Sequence, residues 1–428
     1  MTIEKKKING LDHLNEVIQN DGSKSYFKAD GENSIPQIQN LIFLFDITFP
    51  FKFDELDKLI GLFKSNGIII KNCEFKNDIY FKDNILNYHF VECKFNHISA
   101  DNKTFGGKMR FHSCKFQKTF KLDNTVFNDL VDFWDTTFMM KVIFYKVDFE
   151  KTIVFSISTF KDNVLFTYSK ISEHAIFRGT IIEKGIDFSL AIIEGNLAIF
   201  DFIISDFPTK NGKLYKKQYE NLVSKVGVIP QKNKRETFRI IKNQLIDQKN
   251  TIDASKFSFL ESKTFRKEVW KRIIPPIISE ETKTEWKGHE ETSNHNFLRK
   301  FKKWLDACIN YAILFLNRWS NRHGSSYVFG IFYTLTIGAL FYYLSITSTT
   351  KYDIVYTYDI AYTFDWSIIK ENVAGYVQFL IPIHRFNYLD DFLAGHKLNP
   401  SFYVWDILGR IFIGYGIYQT IQAFRKYK

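Results

Sequence analysis

The stretch "TFMMKVIFYKVDFEKTIVFSISTFKDNVLF", residues 137–166, decides the fold of this chain, because its phenylalanines return at 138, 144, 149, 155, 160 and 166. The steps alternate between six and five. A helix repeats every 3.6 residues and a strand every 2, so neither regular element explains them. Read outward from there, the chain from Thr104 divides into units of 11 residues, among them "VFNDLVDFWDT", "DFEKTIVFSIS" and "IIEKGIDFSLA". Position 2 is Phe or Ile in every unit, and position 8 is Phe in all but one, where Leu122 stands. Position 6 is apolar at Val131, Val142, Ile153 and Val164. Upstream the step is five, through Phe75, Tyr80, Ile85, Phe90, Phe95, Ala100 and Phe105.

One inward side chain about every five residues fits a backbone that turns a corner at the same interval. Four sides close a square coil, and stacked coils bury their central residues as ladders that are stable only as an array. The expected core ladder comprises Phe116, Phe138, Phe149 and Phe160 at position 2, with Phe144, Phe155, Phe166, Phe177 and Phe188 at position 8. The cysteines test the coil length. In "KNCEF", "VECKF" and "HSCKF", Cys73, Cys93 and Cys114 each stand two residues before a Phe, 20 and 21 residues apart. The column continues in steps of 22 through Thr136, Ser158 and Thr180. Such a column is either a cysteine metal or redox site or a ladder of small buried side chains. No CxxC or HxxxH spacing supports a metal, so the ladder is the expectation and no cofactor is expected.

By this period, residues 70–207 resemble the pentapeptide-repeat proteins in a degenerate form, with Phe replacing the Leu of the A(D/N)LXX consensus. The resemblance implies a right-handed quadrilateral β-helix, that is, a β-solenoid. Some members of that family mimic DNA with an acidic surface. Here residues 104–207 carry 12 Lys+Arg against 13 Asp+Glu, and the chain has no nucleic-acid recognition motif. Nucleic acid is therefore not an expected partner.

Before the solenoid, within an N-terminal segment of residues 1–69, "LIFLFDITF" reads as a strand and "FDELDKLIGLFKSNG" as a short amphipathic helix. Asp54 is its N-cap, Leu56, Leu59, Ile60 and Phe63 form its stripe, and Gly67 follows its end. The two are expected to cap the open end of the solenoid, and the polar stretch from Met1 to Asn40 is expected to be loosely ordered. After the solenoid, residues 208–296 read as a basic helical hairpin, with Phe238, Ile241 and Leu245 on one helix and Phe257, Leu260, Phe265 and Val269 on the other, followed by a polar linker. The hairpin is expected to pack on the solenoid end.

The last third reads differently. In residues 297–323, Phe297, Phe301, Trp304, Leu305, Cys308, Ile309, Ala312 and Phe315 share one helix face behind a Lys/Arg cluster, which is the pattern of an interfacial helix. Residues 324–350 then run 27 positions without a charge, long enough to cross a bilayer. A second span is read at residues 402–424, carrying Asp406 and Arg410 one helical turn apart. That pair is either mutually neutralising near the outer interface, or faces an oligomer axis or water path. Residues 208–324 hold 25 Lys+Arg against 12 Asp+Glu, "RKYK" closes the chain, and the loop between the spans holds four Lys+Arg against six Asp+Glu. Both termini are therefore expected in the cytoplasm, at an inner membrane. The charged start "MTIEKKKING" has no apolar run behind it, so no signal peptide is expected, and four cysteines suit a reducing compartment.

Between the spans, "ENVAGYVQFLIPIHRF" is too short to cross, and reads as a re-entrant segment or as a loop on the bilayer surface. Two spans around such a segment resemble the two-helix, ion-channel-like domain at the end of some bacterial pentapeptide-repeat proteins. The resemblance makes Gly375 and Tyr376, in "AGY", candidate pore residues beside Asp406 and Arg410. The functional expectation is a homo-oligomeric, channel-like pore or effector gated by the solenoid. The alternative is a membrane-tethered scaffold that binds a protein partner along the solenoid. Nucleophile elbows, HExxH and phosphate-binding glycine loops are missing from the sequence, so no enzyme is expected.

Overall fold

The computed structural model describes residues 4–28, 35–49, 67–209, 225–274, 293–323, 326–348, 366–383 and 399–425. The expected capping helix, from Asp54 to the residue before Gly67, lies outside these. Two compact units divide the chain, Met1–Lys249 and Asn250–Lys428.

The first unit is a β-solenoid of about six turns. Its short strands form four sheets, parallel except where Phe27–Lys28 runs antiparallel to Gln37–Gln39 at the start. In the regular part each residue pairs with its counterpart two units further on: Phe116 with Phe138, Phe138 with Phe160, Phe127 with Phe149, and Phe144 with Phe166. Two units therefore make one coil, and alternating units put position 2 on opposite walls. The rings stack face to face down each wall, with centroids 4.9 Å apart for Phe116–Phe138, 4.8 Å for Phe138–Phe160 and 4.9 Å for Phe166–Phe188. That distance is the spacing of hydrogen-bonded strands, so backbone pairing and ring stacking are satisfied together.

The corners have their own code. Position 10 of the units adopts a left-handed backbone, at Ser113, Asn124, Asp135, Lys146, Ile157, Tyr168 and Gly179. The next residue, position 11, is the small column. Its hydroxyls donate to carbonyls one coil back: Thr125 Oγ1 to Ala100, Ser169 Oγ to Phe144 and Thr180 Oγ1 to Phe155, at 2.8, 3.0 and 2.7 Å. Thr136 and Ser158 do the same toward Phe111 and Phe133. Where a hydroxyl stands at this position it satisfies a carbonyl turned inward at a corner, where an unmet acceptor is costly, whereas Val147 and Ala191 keep the position without a donor.

The five-residue reading upstream needs correction. Phe75, Phe90, Phe95 and Phe105 are buried, but Tyr80 is 41% and Ile85 81% exposed. The strand Glu74–Phe81 has a register irregularity between Phe75 and Asp78, and Ile79 and Phe81 take the inward positions instead. The first coil also begins before residue 70. Strands Leu41–Phe43 and Ile47–Phe49 both pair with Glu74–Phe81, so "LIFLFDITF" is two strands of the solenoid rather than one cap strand. The stretch from Met1 to Asn40, expected to be loose, supplies the outermost strand, Lys6–Ile8, and a helix, α1 (Leu11–Gln19), which buries Leu14, Val17 and Ile18.

The far end is closed by helix α2 (Gln231–Asp247), which buries Phe238, Ile241 and Leu245. Its polar side chains bond the exposed edge of the last coil. Thr237 Oγ1 accepts from Phe188 N at 2.9 Å, Gln244 Oε1 accepts from Leu197 N at 3.3 Å, and Gln248, at its C-cap, donates to Leu197 O at 2.6 Å. This blocks the strand edge to further pairing. Asn233 donates to Asp187, whose buried carboxyl is pushed up by desolvation. The two helices read as one hairpin divide between the units. α3 (Thr251–Ile273) belongs to the second and packs on α4 (Ser293–Asn321).

The second unit also contains α5 (Tyr327–Thr347), α6 (Trp366–Phe379) and α7 (Pro400–Phe424). By length and composition, one helix among the described residues, α5, is long and apolar enough to cross a membrane.

Candidate functional site

α5 and α7 pack antiparallel along most of their length. The buried side of α7 is Phe402, Asp406, Gly409, Ile413, Gly416, Gln419 and Ala423, in steps of four and three. That is the seam of a left-handed helix pair. The seam is narrow. A Cβ on Gly409 would overlap the Phe379 ring, and one on Gly416 would overlap Thr334 Oγ1. The outward sides carry large apolar residues instead, including Phe332, Leu335 and Leu340 on α5 and Val404, Ile407 and Ile411 on α7.

Asp406 is fully buried in its own chain and accepts from Arg410 Nε at 2.7 Å. The two side chains thus bond each other within α7, an arrangement that both orientations open to the sequence allow. Gly375 and Tyr376 lie inside α6, and the Tyr376 hydroxyl donates to Leu335 O at 2.7 Å. A helix keeps its carbonyls for itself, whereas an ion filter presents them to the ion. Phe379 and Phe402 share a buried cluster with Tyr342 and Ile413, so α6 is packed onto the α5–α7 pair. Most of the loop around α6 lies outside the described residues.

A polar network joins α4 to α7 and carried no motif in the sequence. Tyr415 donates to Asn317 Oδ1 at 2.5 Å, Gln419 Nε2 donates to the same oxygen at 3.2 Å, and Asn321 donates to Gln419 O at 3.2 Å. Its partners lie 98 to 102 residues apart, and only their spacing along the two helices hinted at it. On α4, Phe301, Trp304, Leu305, Ile309 and Phe315 remain exposed, so the described residues leave most of the expected apolar face bare.

In the solenoid, Cys73, Cys93 and Cys114 are free and buried. Cys93 Sγ lies 3.2 Å from Ile70 O and Cys114 Sγ 3.5 Å from Phe90 O, in the role of the hydroxyls above. Burial pushes the Cys73 and Cys114 thiols up, so they are neutral donors rather than thiolates. No cluster of His, Cys, Asp or Glu suited to a metal occurs among the described residues.

A histidine run on one wall was also missed. His89 Nε2 lies 3.1 Å from His112 Nδ1, and His112 Nε2 lies 2.8 Å from Asp132 Oδ2, linking three successive coils. The residues are 23 and 20 apart, one coil each, which the wall register could have revealed. Burial first, then the neighbouring His112 and Arg110, push His89 down to about 4 against a smaller upward pull from Asp132. The folded state thus prefers neutral His89. Its stability contribution is complete above the unfolded value of about 6.5 and is lost as pH falls toward 4. Thermal melts of wild type should fall more steeply than those of His89→Gln over that window. Parallel curves would refute the coupling.

No protein-family model, no curated protein and no solved structure matches this chain.

Proposed function

We propose that the chain is a membrane-tethered scaffold, with the solenoid as a protein-binding body and α5 and α7 as its two-span anchor. It would sit at a bacterial inner membrane with both termini in the cytoplasm. The observation that carries this reading is the inverted character of the α5–α7 pair. Its seam brings small and polar residues, among them Gly330, Gly338, Asp406, Gly409, Gly416 and Gln419, between a few large ones such as Tyr333, Phe402 and Ile413, while the outward sides carry large apolar residues. A water-soluble pair has the opposite arrangement, and a lipid-facing pair has this one. The uncovered apolar face of α4 fits a helix lying in the interface. The role is binding and positioning rather than catalysis.

The test replaces residues 324–428 with an unrelated two-span anchor of the same orientation. A scaffold keeps its partner capture and its cellular effect. Loss of the effect with capture retained would refute it.

A second reading, an oligomeric ion-channel-like pore, is favoured by α6, a short helix packed on the pair between two long ones. Its test is ion flux in liposomes carrying the full chain beside Asp406→Ala. Flux that changes with the variant establishes that reading and displaces the tether.

A further inference from the structure

The second unit holds a cavity of about 590 Å³ lined by Phe259 of α3, Phe315, Arg318 and Trp319 of α4, Arg322, and Phe329 of α5. We propose that this cavity is a binding site for the phosphate headgroup of an anionic lipid. The proposal rests on the anchor reading above and adds to it a specific lipid partner.

The lining has two chemical characters. It contributes two guanidinium groups and no carboxylate among the described lining residues, and the rest is aromatic. A charged headgroup joined to an apolar tail matches that division. A purely apolar ligand would leave the arginines unused, and a purely polar anion would leave the four aromatic rings unused. Arg322 lies over the Phe329 ring at 3.9 Å, which holds its guanidinium at the cavity. A held guanidinium bonds phosphate through two parallel N–H groups, which ammonium groups cannot do.

The surroundings add positive potential. Arg266 on α3 is close enough to Arg318 for the two to repel, and burial and that repulsion together hold its guanidinium below the usual range. His323 sits beside Phe259, ring centroids 5.9 Å apart, with a buried Nε2 that has no hydrogen-bond partner. Burial first, then Arg266 and Arg318, push this imidazole down to about 4, so it stays neutral and offers a donor without further repulsion. α5 begins at Tyr327, and its N-cap, Ser326, makes no side-chain cap, leaving the positive end of that helix beside the cavity. The exposed apolar face of α4 includes Phe315 at the cavity wall, which places the site at the depth of a lipid headgroup when that face rests on a bilayer.

The experiment uses the full-length protein in a neutral maltoside detergent, titrated calorimetrically with dioctanoyl-phosphatidylglycerol, dioctanoyl-phosphatidylcholine and inorganic phosphate. The site predicts saturable binding of the phosphatidylglycerol, at least tenfold weaker binding of the phosphatidylcholine, and at least tenfold weaker binding of inorganic phosphate. The double variant R318Q/R322Q should bind phosphatidylglycerol about twentyfold more weakly, since each charged contact is worth about fivefold. R318K/R322K keeps the charge but loses the fork, and should fall between the two. Equal binding of both lipids, or an unchanged R318Q/R322Q with a wild-type melting temperature, overturns the proposal. Phosphate binding as tightly as phosphatidylglycerol also overturns it, in favour of a free-anion site. Alkaline carbonate extraction of expressing cells tests the anchor reading separately. Protein released by carbonate refutes the anchor, whereas retained protein without lipid selectivity refutes only the site.

Discussion

Phe155→Ala is expected to destabilise the solenoid by about 3–5 kcal/mol, the range for removing a fully buried aromatic ring. Phe155 has no exposed surface. It stacks on Phe133 at 5.4 Å and Phe177 at 5.1 Å, and meets Phe160 edge-on at 5.4 Å and Phe166 edge-on at 6.1 Å. The coils above and below fix the walls through parallel pairing, so the void left by the ring has little room to collapse. In a stacked array each coil is supported only by its neighbours, so the damage stays near its origin and divides the array there. Urea unfolding followed by circular dichroism, with hydrogen exchange resolved by peptide, checks both points. Protection should fall most in the coils around residues 133–177 and least in α5 and α7. A loss under about 1 kcal/mol, or a uniform loss across the chain, contradicts a packed one-dimensional core.

The second large effect concerns the ion pair in the last helix. Arg410→Leu should cost about 3–5 kcal/mol, because it leaves the Asp406 carboxylate buried without the guanidinium that neutralises it. Asp406→Leu/Arg410→Leu should be near neutral, since removing both charges also removes both desolvation costs. Detergent thermal unfolding of the three proteins reads this directly. The same series separates the two functional readings. A structural pair lets the double variant fold and work, whereas a pair on a conduction path gives a folded protein with altered flux. A single variant as stable as wild type would show that Asp406 has adequate other partners.

What the sequence made legible was the part that repeats. Phenylalanine at positions 2 and 8 announces a coil, because a residue with one large ring has few ways to be buried at that period. The small column was legible as small, but its reason was not. Whether Thr180 fills space or donates to Phe155 O depends on a carbonyl one coil away. Tyr80 misled because a register irregularity between Phe75 and Asp78 turns the rest of that strand over, so that Ile79 and Phe81 face inward in its place. At the candidate site, the charges of Asp406 and Arg410 were visible, but the direction in which they point depends on which face of α7 meets α5. Gly409 and Gly416 carry that information, since only a glycine admits the facing side chains there. The Asn317–Tyr415–Gln419 network and the cavity between α3, α4 and α5 join residues far apart in the chain, and no local pattern reports such meetings.

The two left-handed corners in each regular coil, from Asn102 to Gly179, make the solenoid behave like a screw thread cut with two starts. Gaining or losing a single unit would keep every ring inside, yet the chain would leave on the opposite wall. Thr237 and Gln244 would then face away from the backbone groups of Phe188 and Leu197 that they now satisfy. Only whole turns, each advancing the thread by about 4.8 Å, return the exit to the same bearing. Length in this protein is therefore quantised, and a lineage that lengthens or shortens it is expected to do so by pairs of units.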